Sequence, residues 1–210
     1  MTTVLLTGFE PFAGDATNPS GDAVRRVAHR WTGDERLIVE VLPVVFATAA
    51  ERLRHLLAEH RPDVVIATGL AGGRTQVTPE RIAINLADAR IPDNDGDQPV
   101  DRPVVAGAPA AHFATLPVKA IAAALNDEEI PAAISHSAGT FVCNHVMFTA
   151  LDAVDPGVRA GFVHVPYARE TAPEGAASLP LDVIVRAVEV SVRTALDVHD
   201  DVATSAGTLH

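Results

Sequence analysis

The sequence contains one cysteine, Cys143, and a thiol without a partner for an internal disulfide is a candidate nucleophile. It follows Ser137-Ala138-Gly139-Thr140-Phe141-Val142 and stands immediately before the helix-like run Asn144-His145-Val146-Met147-Phe148. That position puts the sulfur at a helix N-terminus, where unpaired N–H groups favour a thiolate and can stabilise an oxyanion, so a lowered thiol pKa is expected. His164 lies in the strand-like Gly161-Phe162-Val163-His164-Val165-Pro166-Tyr167, near its end, a place that suits a base facing a pocket. Glu80 lies in Thr78-Pro79-Glu80-Arg81-Ile82-Ala83-Ile84-Asn85, just before an apolar run. Each has a plainer reading when taken alone: a small buried hydrophobe, a hydrogen-bonded core histidine and a surface ion pair. Together they supply one candidate for each part that thiol chemistry on an amide needs, namely a nucleophile, a base and an acceptor that fixes the imidazole.

The elements that must position these residues alternate. Apolar or β-branched runs at Val4 to Thr7, Leu37 to Leu42, Asp63 to Thr68, Ala132 to Ser135 and Gly161 to Val165 read as buried strands. Helix-like stretches cover Asp22 to Arg30, Ala47 to His60, Thr115 to Asn126 with Pro117 near its first turn, Val142 to Leu151, and Leu181 to Leu196. The alternation indicates an α/β layer fold around a parallel or mixed sheet. With no repeat and no linker, residues 1–196 are expected to form one domain, and the polar segment 197–210 to be poorly ordered. The Pro-, Asp- and Gly-rich stretch from Ile91 to Pro109 reads as a long loop that serves as an interface arm or a lid.

Several other patterns do not reach a function. Asp93-Asn94-Asp95-Gly96-Asp97 has its glycine and downstream residues misplaced for a calcium loop and reads as a solvated turn. Gly69-Leu70-Ala71-Gly72-Gly73-Arg74 is neither a dinucleotide fingerprint nor a P-loop, but it is a turn lying where ligands sit in open α/β sheets, which makes the turn a candidate pocket wall. The nine histidines show no metal-ligand spacing, so no metal is expected. A formal net charge of -11 argues against nucleic-acid and acidic-membrane partners. The start of the chain lacks the basic and long apolar stretches of a secretory signal, and no run is long enough to span a bilayer. With the lone cysteine, these features lead to an expected cytoplasmic location.

At the same residues the chain resembles the pyroglutamyl peptidase I family of cysteine peptidases. The resemblance runs from Leu5-Leu6-Thr7-Gly8-Phe9-Glu10-Pro11-Phe12 and Asn18-Pro19-Ser20 through Ala71-Gly72-Gly73-Arg74, Pro79-Glu80-Arg81-Ile82-Ala83-Ile84-Asn85 and Ala89-Arg90-Ile91-Pro92-Asp93-Asn94. It closes with Ala138-Gly139-Thr140-Phe141-Val142-Cys143-Asn144-His145 and His164-Val165-Pro166-Tyr167. It implies that Glu80, Cys143 and His164 form a catalytic triad in a cofactor-free site that removes the N-terminal pyroglutamyl residue from peptides through a thioester. It also implies a three-layer α/β/α sandwich with a mixed, mostly parallel sheet, like that of the nucleoside phosphorylases, and assembly into homo-oligomers, dimers or tetramers. Carried over residue by residue, Phe9 and Phe12 line the pyrrolidone pocket with Asn18, Leu70 and Val142 beside them, and Arg90 lies near the oxyanion. Leu70 departs from the family's usual glutamine, and Ser135-His136-Ser137 from its usual Ser-Asn-Thr. A nucleoside phosphorylase-like enzyme, a non-catalytic binding module and a general aminopeptidase are the competing readings.

Overall fold

The computed structural model describes residues 1–207, so the last three residues of the C-terminal segment lie outside the described residues. Four strands with almost unbroken apolar sequence form the parallel part of the sheet: β1 (Thr3–Phe9), β2 (Arg36–Leu42), β3 (Val64–Leu70) and β7 (Arg159–Val165). A two-residue strand, β4 (Thr78–Pro79), joins antiparallel to β7 and completes the order β2-β1-β3-β7-β4. Parallel strands covered by helices on both faces must be apolar on both faces, and β1 and β3 are buried at every position.

The covering helices are α1 (Pro19–Arg30), α2 (Phe46–His60), α3 (Val118–Asp127), α4 (Val142–Ala153) and α5 (Leu181–Asp197). Because strand side chains alternate between faces, Val4, Leu6, Val64, Ile66, Val163 and Val165 pack with α1, α3 and α5. Their neighbours Leu5, Phe9, Val65, Ala67 and Phe162 pack with α2 and α4. The result is the three-layer α/β/α sandwich with a mixed, mostly parallel sheet that the resemblance implies. The alternation also decides where the chemistry can lie, since Phe9, Gly69 and His164 all fall on the α4 face near the carboxyl ends of their strands.

Two small sheets lie outside this frame. One pairs β5 (Ile82–Ile84) with β6 (Ala111–Phe113), and the long excursion between them includes the 91–109 stretch. The other pairs β8 (Tyr167–Ala168) with β9 (Ser178–Leu179).

Four local expectations change. Ala132 to Ser135 is not a strand, because it pairs only through two isolated bridges, Ala132 with Val77 and Ser135 with Glu80, and Pro79 between them has no N–H to donate. Helix α3 begins at Val118, with Pro117 as its N-cap. Proline has no capping side chain, and the acceptor comes instead from Asp201, which takes hydrogen bonds from the N–H groups of Lys119 at 3.1 Å and Ala120 at 2.9 Å. The segment read as a loose tail is thus tied to α3 at this point. Finally, the turn at residues 93–97 is not simply solvated, since Asp93 is buried. Its Oδ1 accepts from the N–H groups of Asp95 and Asp97, and its Oδ2 accepts from Phe46 N–H at 2.9 Å. The N-cap of α2 is Val45, which makes no side-chain capping bond, so Asp93 supplies the missing acceptor across the sequence.

One contact in the sheet admits no side chain. A Cβ on Gly69 would lie 2.7 Å from Phe162 Cζ and 2.9 Å from Cys143 Sγ, both closer than non-bonded atoms approach. Gly69→Ala is therefore expected to lower stability in urea by about 1–3 kcal/mol through overpacking. Gly207→Ala, with nothing within 4 Å, leaves the same transition unmoved. Asp93→Ala is expected to cost about 2 kcal/mol by leaving the α2 terminus and its own turn without an acceptor. Asp93→Asn, which keeps the accepting oxygen, costs less in the same titration.

Candidate active site

Helix α4 brings Cys143 to the sheet by its first turn. Phe141 is the N-cap, in an extended conformation and without a capping side chain, so the first N–H groups of the helix have no intrahelical acceptor. The polar residue after the cysteine anchors this turn. Asn144 is fully buried, accepts from Ile84 N–H at 3.0 Å, and donates to the carbonyl oxygens of Ile84 at 2.8 Å and Leu86 at 3.1 Å. The helix start is thereby fixed to β5 at Ile84, four residues beyond Glu80.

In the parallel register Gly69 of β3 is paired with His164 of β7, and paired residues project to the same face. The absent side chain of Gly69 leaves the space that the Cys143 sulfur fills. The thiol therefore lies on the α4 face of the sheet, over the residue directly beside His164. The imidazole is buried and packed on the Phe162 ring, with centroids 4.6 Å apart. Its Nδ1 is 2.7 Å from Oε1 of Glu80, which is fully buried and directly follows β4. Donation from Nδ1–H to the carboxylate leaves Nε2 as the acceptor nitrogen of the ring. Glu80 is itself held by backbone bonding of its N–H to Phe162 O at 2.9 Å.

The protonation states follow from burial and from these partners. Burial pushes the Cys143 thiol up to about 12, and the Glu80 carboxylate pushes in the same direction, against the smaller downward pull of Arg74 and of the cysteine's own N–H. This reverses the expectation of a lowered thiol pKa, because removal from water outweighs the helix terminus. Burial also holds His164 below the ordinary imidazole range, although the hydrogen bond and charge of Glu80 oppose it. For Glu80, burial acts upward but loses to the hydrogen bond and charge of His164, the neighbouring Ser135 hydroxyl and Arg74, so the carboxyl lies below its usual range. At neutral pH the resting site is a neutral thiol, a neutral imidazole and a carboxylate.

In front of the thiol is a small, apolar pocket. Of the residues read from the sequence, Phe9, Phe12, Asn18, Leu70 and Val142 line it together with Cys143. The sequence reading did not single out Val44 and Phe141. The Phe141 ring packs on Phe12 with centroids 6.2 Å apart, and edge-on against Phe46 at 5.2 Å. Asn18 serves the scaffold first. It is the N-cap of α1, its Oδ1 accepting from Ser20 N–H at 3.1 Å and Ser20 Oγ–H at 2.8 Å while its amide donates to Glu10 O at 2.9 Å. Ser20 Oγ in turn accepts from Phe9 N–H at 3.1 Å, so this cap fixes one wall of the pocket. Arg90 is not among the lining residues; it is exposed and makes no hydrogen bond or ion pair among the described residues.

A larger open groove, lined by Arg54, Arg61, Asp63 and Asp155, lies at the opposite, amino ends of the strands and contains no nucleophile. Among the described residues no group of three or more His, Cys, Asp or Glu side chains could hold a metal ion, and no helix is long and apolar enough to cross a membrane. Asn144 and Phe141 were missed in the sequence because neither is reactive. The available signal was local: an asparagine inside an apolar helical run, and an aromatic residue two positions before the cysteine.

The chain is similar throughout its length to proteins of one kind. It is 46% identical over 211 residues to the pyrrolidone-carboxylate peptidase of Bacillus subtilis (strain 168), covering 99% of this chain and 98% of that one. It is 50% identical over 212 residues to that of Clavibacter michiganensis, with both chains fully covered. The crystal structure of Bacillus amyloliquefaciens pyroglutamyl peptidase I superposes with a TM-score of 0.92 at 45% identity, covering 96% of this chain and 100% of that one. The pyrrolidone carboxyl peptidase from Thermococcus litoralis gives a TM-score of 0.89 at 42% identity, covering 94% of each. The sequence pattern of the pyroglutamyl peptidase family matches residues 2–198, and the chain belongs to that family.

Proposed function

We propose that Cys143, His164 and Glu80 perform the chemistry of this enzyme, a cysteine-type omega-peptidase that removes N-terminal pyroglutamate through an acyl-enzyme. The observation that carries the assignment is the 2.7 Å bond between buried Glu80 and His164 Nδ1, on the sheet face where the lone thiol packs. As Sγ attacks the carbonyl that joins the lactam ring to the next residue, Nε2 of His164 takes the thiol proton. The imidazolium so formed is matched by the Glu80 carboxylate, and the N–H groups of the first turn of α4 face the oxyanion. Collapse of the tetrahedral adduct passes the proton from Nε2 to the leaving amine. Water, deprotonated by the same nitrogen, then cleaves the thioester and releases pyroglutamate.

The lining favours a neutral ring. Phe9, Phe12, Leu70 and Val142 offer apolar surface, and the Asn18 oxygen is already engaged by Ser20, so a charged α-ammonium would lose its hydration with nothing to replace it. Backbone groups and the remaining Asn18 N–H are left to hold the lactam. Arg90 lies two residues beyond Asp88, whose N–H and carbonyl bond Thr140 just upstream of the thiol, and a role for it at the oxyanion rests on that neighbourhood. A cytoplasmic location and assembly into dimers or tetramers belong to the same proposal. The exposed apolar side chains of Ile91, Val100 and Phe113 support assembly, with the 91–109 arm as a contact.

Release of a chromogenic amine from its pyroglutamyl amide under reducing conditions tests the assignment. The wild type is expected to cleave this amide and not the proline or free-glutamine amides, and Cys143→Ala to lose cleavage entirely while folding normally. Persistence of cleavage in Cys143→Ala would sink the nucleophile assignment. Because burial lowers His164, its neutral form survives into mild acid, and the acid limb of kcat/KM is expected below the 6.5 of an unperturbed imidazole. Glu80 acts upward on His164, so residual activity in Glu80→Gln has its acid limb at still lower pH. A limb that moves upward contradicts the arrangement.

A further inference from the structure

Glu80 Oε1 receives two charge-bearing partners at once. His164 Nδ1 lies 2.7 Å from it, and Nη1 of Arg74 lies 2.6 Å from the same atom. Oε2 is buried and has no hydrogen-bond partner among the described residues. A carboxylate held through one oxygen can rotate about its terminal bond, and the second contact on that oxygen restrains it. Arg74 is suited to this because its planar fork spans several segments. Nη1 also bonds Thr78 Oγ1 on β4, and Nη2 donates to the carbonyl of Ser137 at 3.2 Å, six residues before the cysteine. Its own loop continues directly from β3, whose Leu70 forms part of the pocket wall. One half-buried guanidinium therefore joins the pocket strand, the glutamate strand and the approach to the nucleophile helix.

We infer that Arg74 is a positioning residue of the peptidase: it aims the Glu80 carboxylate at His164 Nδ1, and so fixes the imidazole with Nε2 towards the thiol. The inference rests on the proposed assignment of Cys143, His164 and Glu80. Arg74 touches neither the nucleophile nor the pocket lining; its contacts reach the reaction through Glu80 and its charge acts on the thiol and imidazole from a distance, so it should alter turnover more than binding. A lysine keeps the charge but cannot hold Glu80, Thr78 and Ser137 in one planar fork.

The charged and titratable groups that face one another here are Arg74 from the β3–β4 loop, Glu80 directly after β4, His164 from β7 and Cys143 from α4. Arg74 favours the deprotonated form of each of the other three, so its removal raises the pH at which thiol and imidazole titrate. The thiol can be followed directly because Cys143 is the only cysteine. In Arg74→Gln, kcat for the pyroglutamyl amide should fall at least about tenfold with KM little changed. The pH profile of iodoacetamide alkylation should shift to higher pH, and Arg74→Lys should recover part of kcat. Wild-type kcat and an unshifted alkylation profile in Arg74→Gln would overturn the inference. So would a loss of thermal stability alone, with Arg74→Lys equal to wild type in both readouts. If Arg74→Gln does not fold, Arg74→Lys decides: a reduced kcat at unchanged KM supports the role and a wild-type kcat overturns it. Cys143→Ala, run alongside, separates the two questions, since cleavage by that variant defeats the underlying assignment whatever Arg74 does.

Discussion

A fully buried carboxylate is costly unless it is ionised, paired and hydrogen-bonded, and Glu80 meets those terms only while His164 and Arg74 both reach its Oε1. The cost explains why so many segments converge on it. Glu80 directly follows β4 with its N–H on β7; His164 lies on β7 itself, and Arg74 lies in the loop that leaves β3. No two of these residues belong to one local element, so the arrangement exists only when the sheet is assembled. Stability and chemistry here share the same contacts.

The nucleophile is fitted to that assembled sheet by a different constraint, the absence of a side chain at Gly69. The sulfur enters the space left there, next to the strand that bears the base. Asn144 then prevents the first turn of α4 from moving relative to the residues that follow Glu80. The helix terminus thus contributes position and N–H donors, while burial, not the terminus, decides the resting charge of the thiol. A neutral pair at rest makes the histidine a base at the moment of attack and an acid at the moment of departure, which suits one imidazole serving both half-reactions.

Much of this was legible in the sequence because it depends on residue type and short-range order. Cys143 could be named as the single thiol, His164 and Glu80 through the motifs that carry the family resemblance, and the alternation of apolar runs with helical stretches indicated the layers. What was not legible depends on contacts across the chain. Asp93 reads as a turn residue until Phe46 N–H, 47 positions away, is seen to need an acceptor. Asp201 reads as part of a loose tail until Pro117 is found at a helix start with nothing to cap it. Asn18 reads as a pocket polar group, whereas its oxygen is used by Ser20 at the start of α1. The thiol's charge state was misjudged for the same reason, since the helix end is a local feature and desolvation is a property of the whole core.

The protonated resting thiol has a consequence for oxidative damage. Peroxides attack thiolates, so Cys143, half-buried at the pocket but held as the thiol by desolvation and the Glu80 charge, is a slow target while the site is empty. The protein has no second cysteine that could trap a sulfenic acid as an internal disulfide and return it to the reduced form. Once oxidised, Cys143 would depend on external thiols for repair. The desolvation that keeps the half-buried thiol protonated at rest thereby slows damage to the only sulfur on which turnover depends.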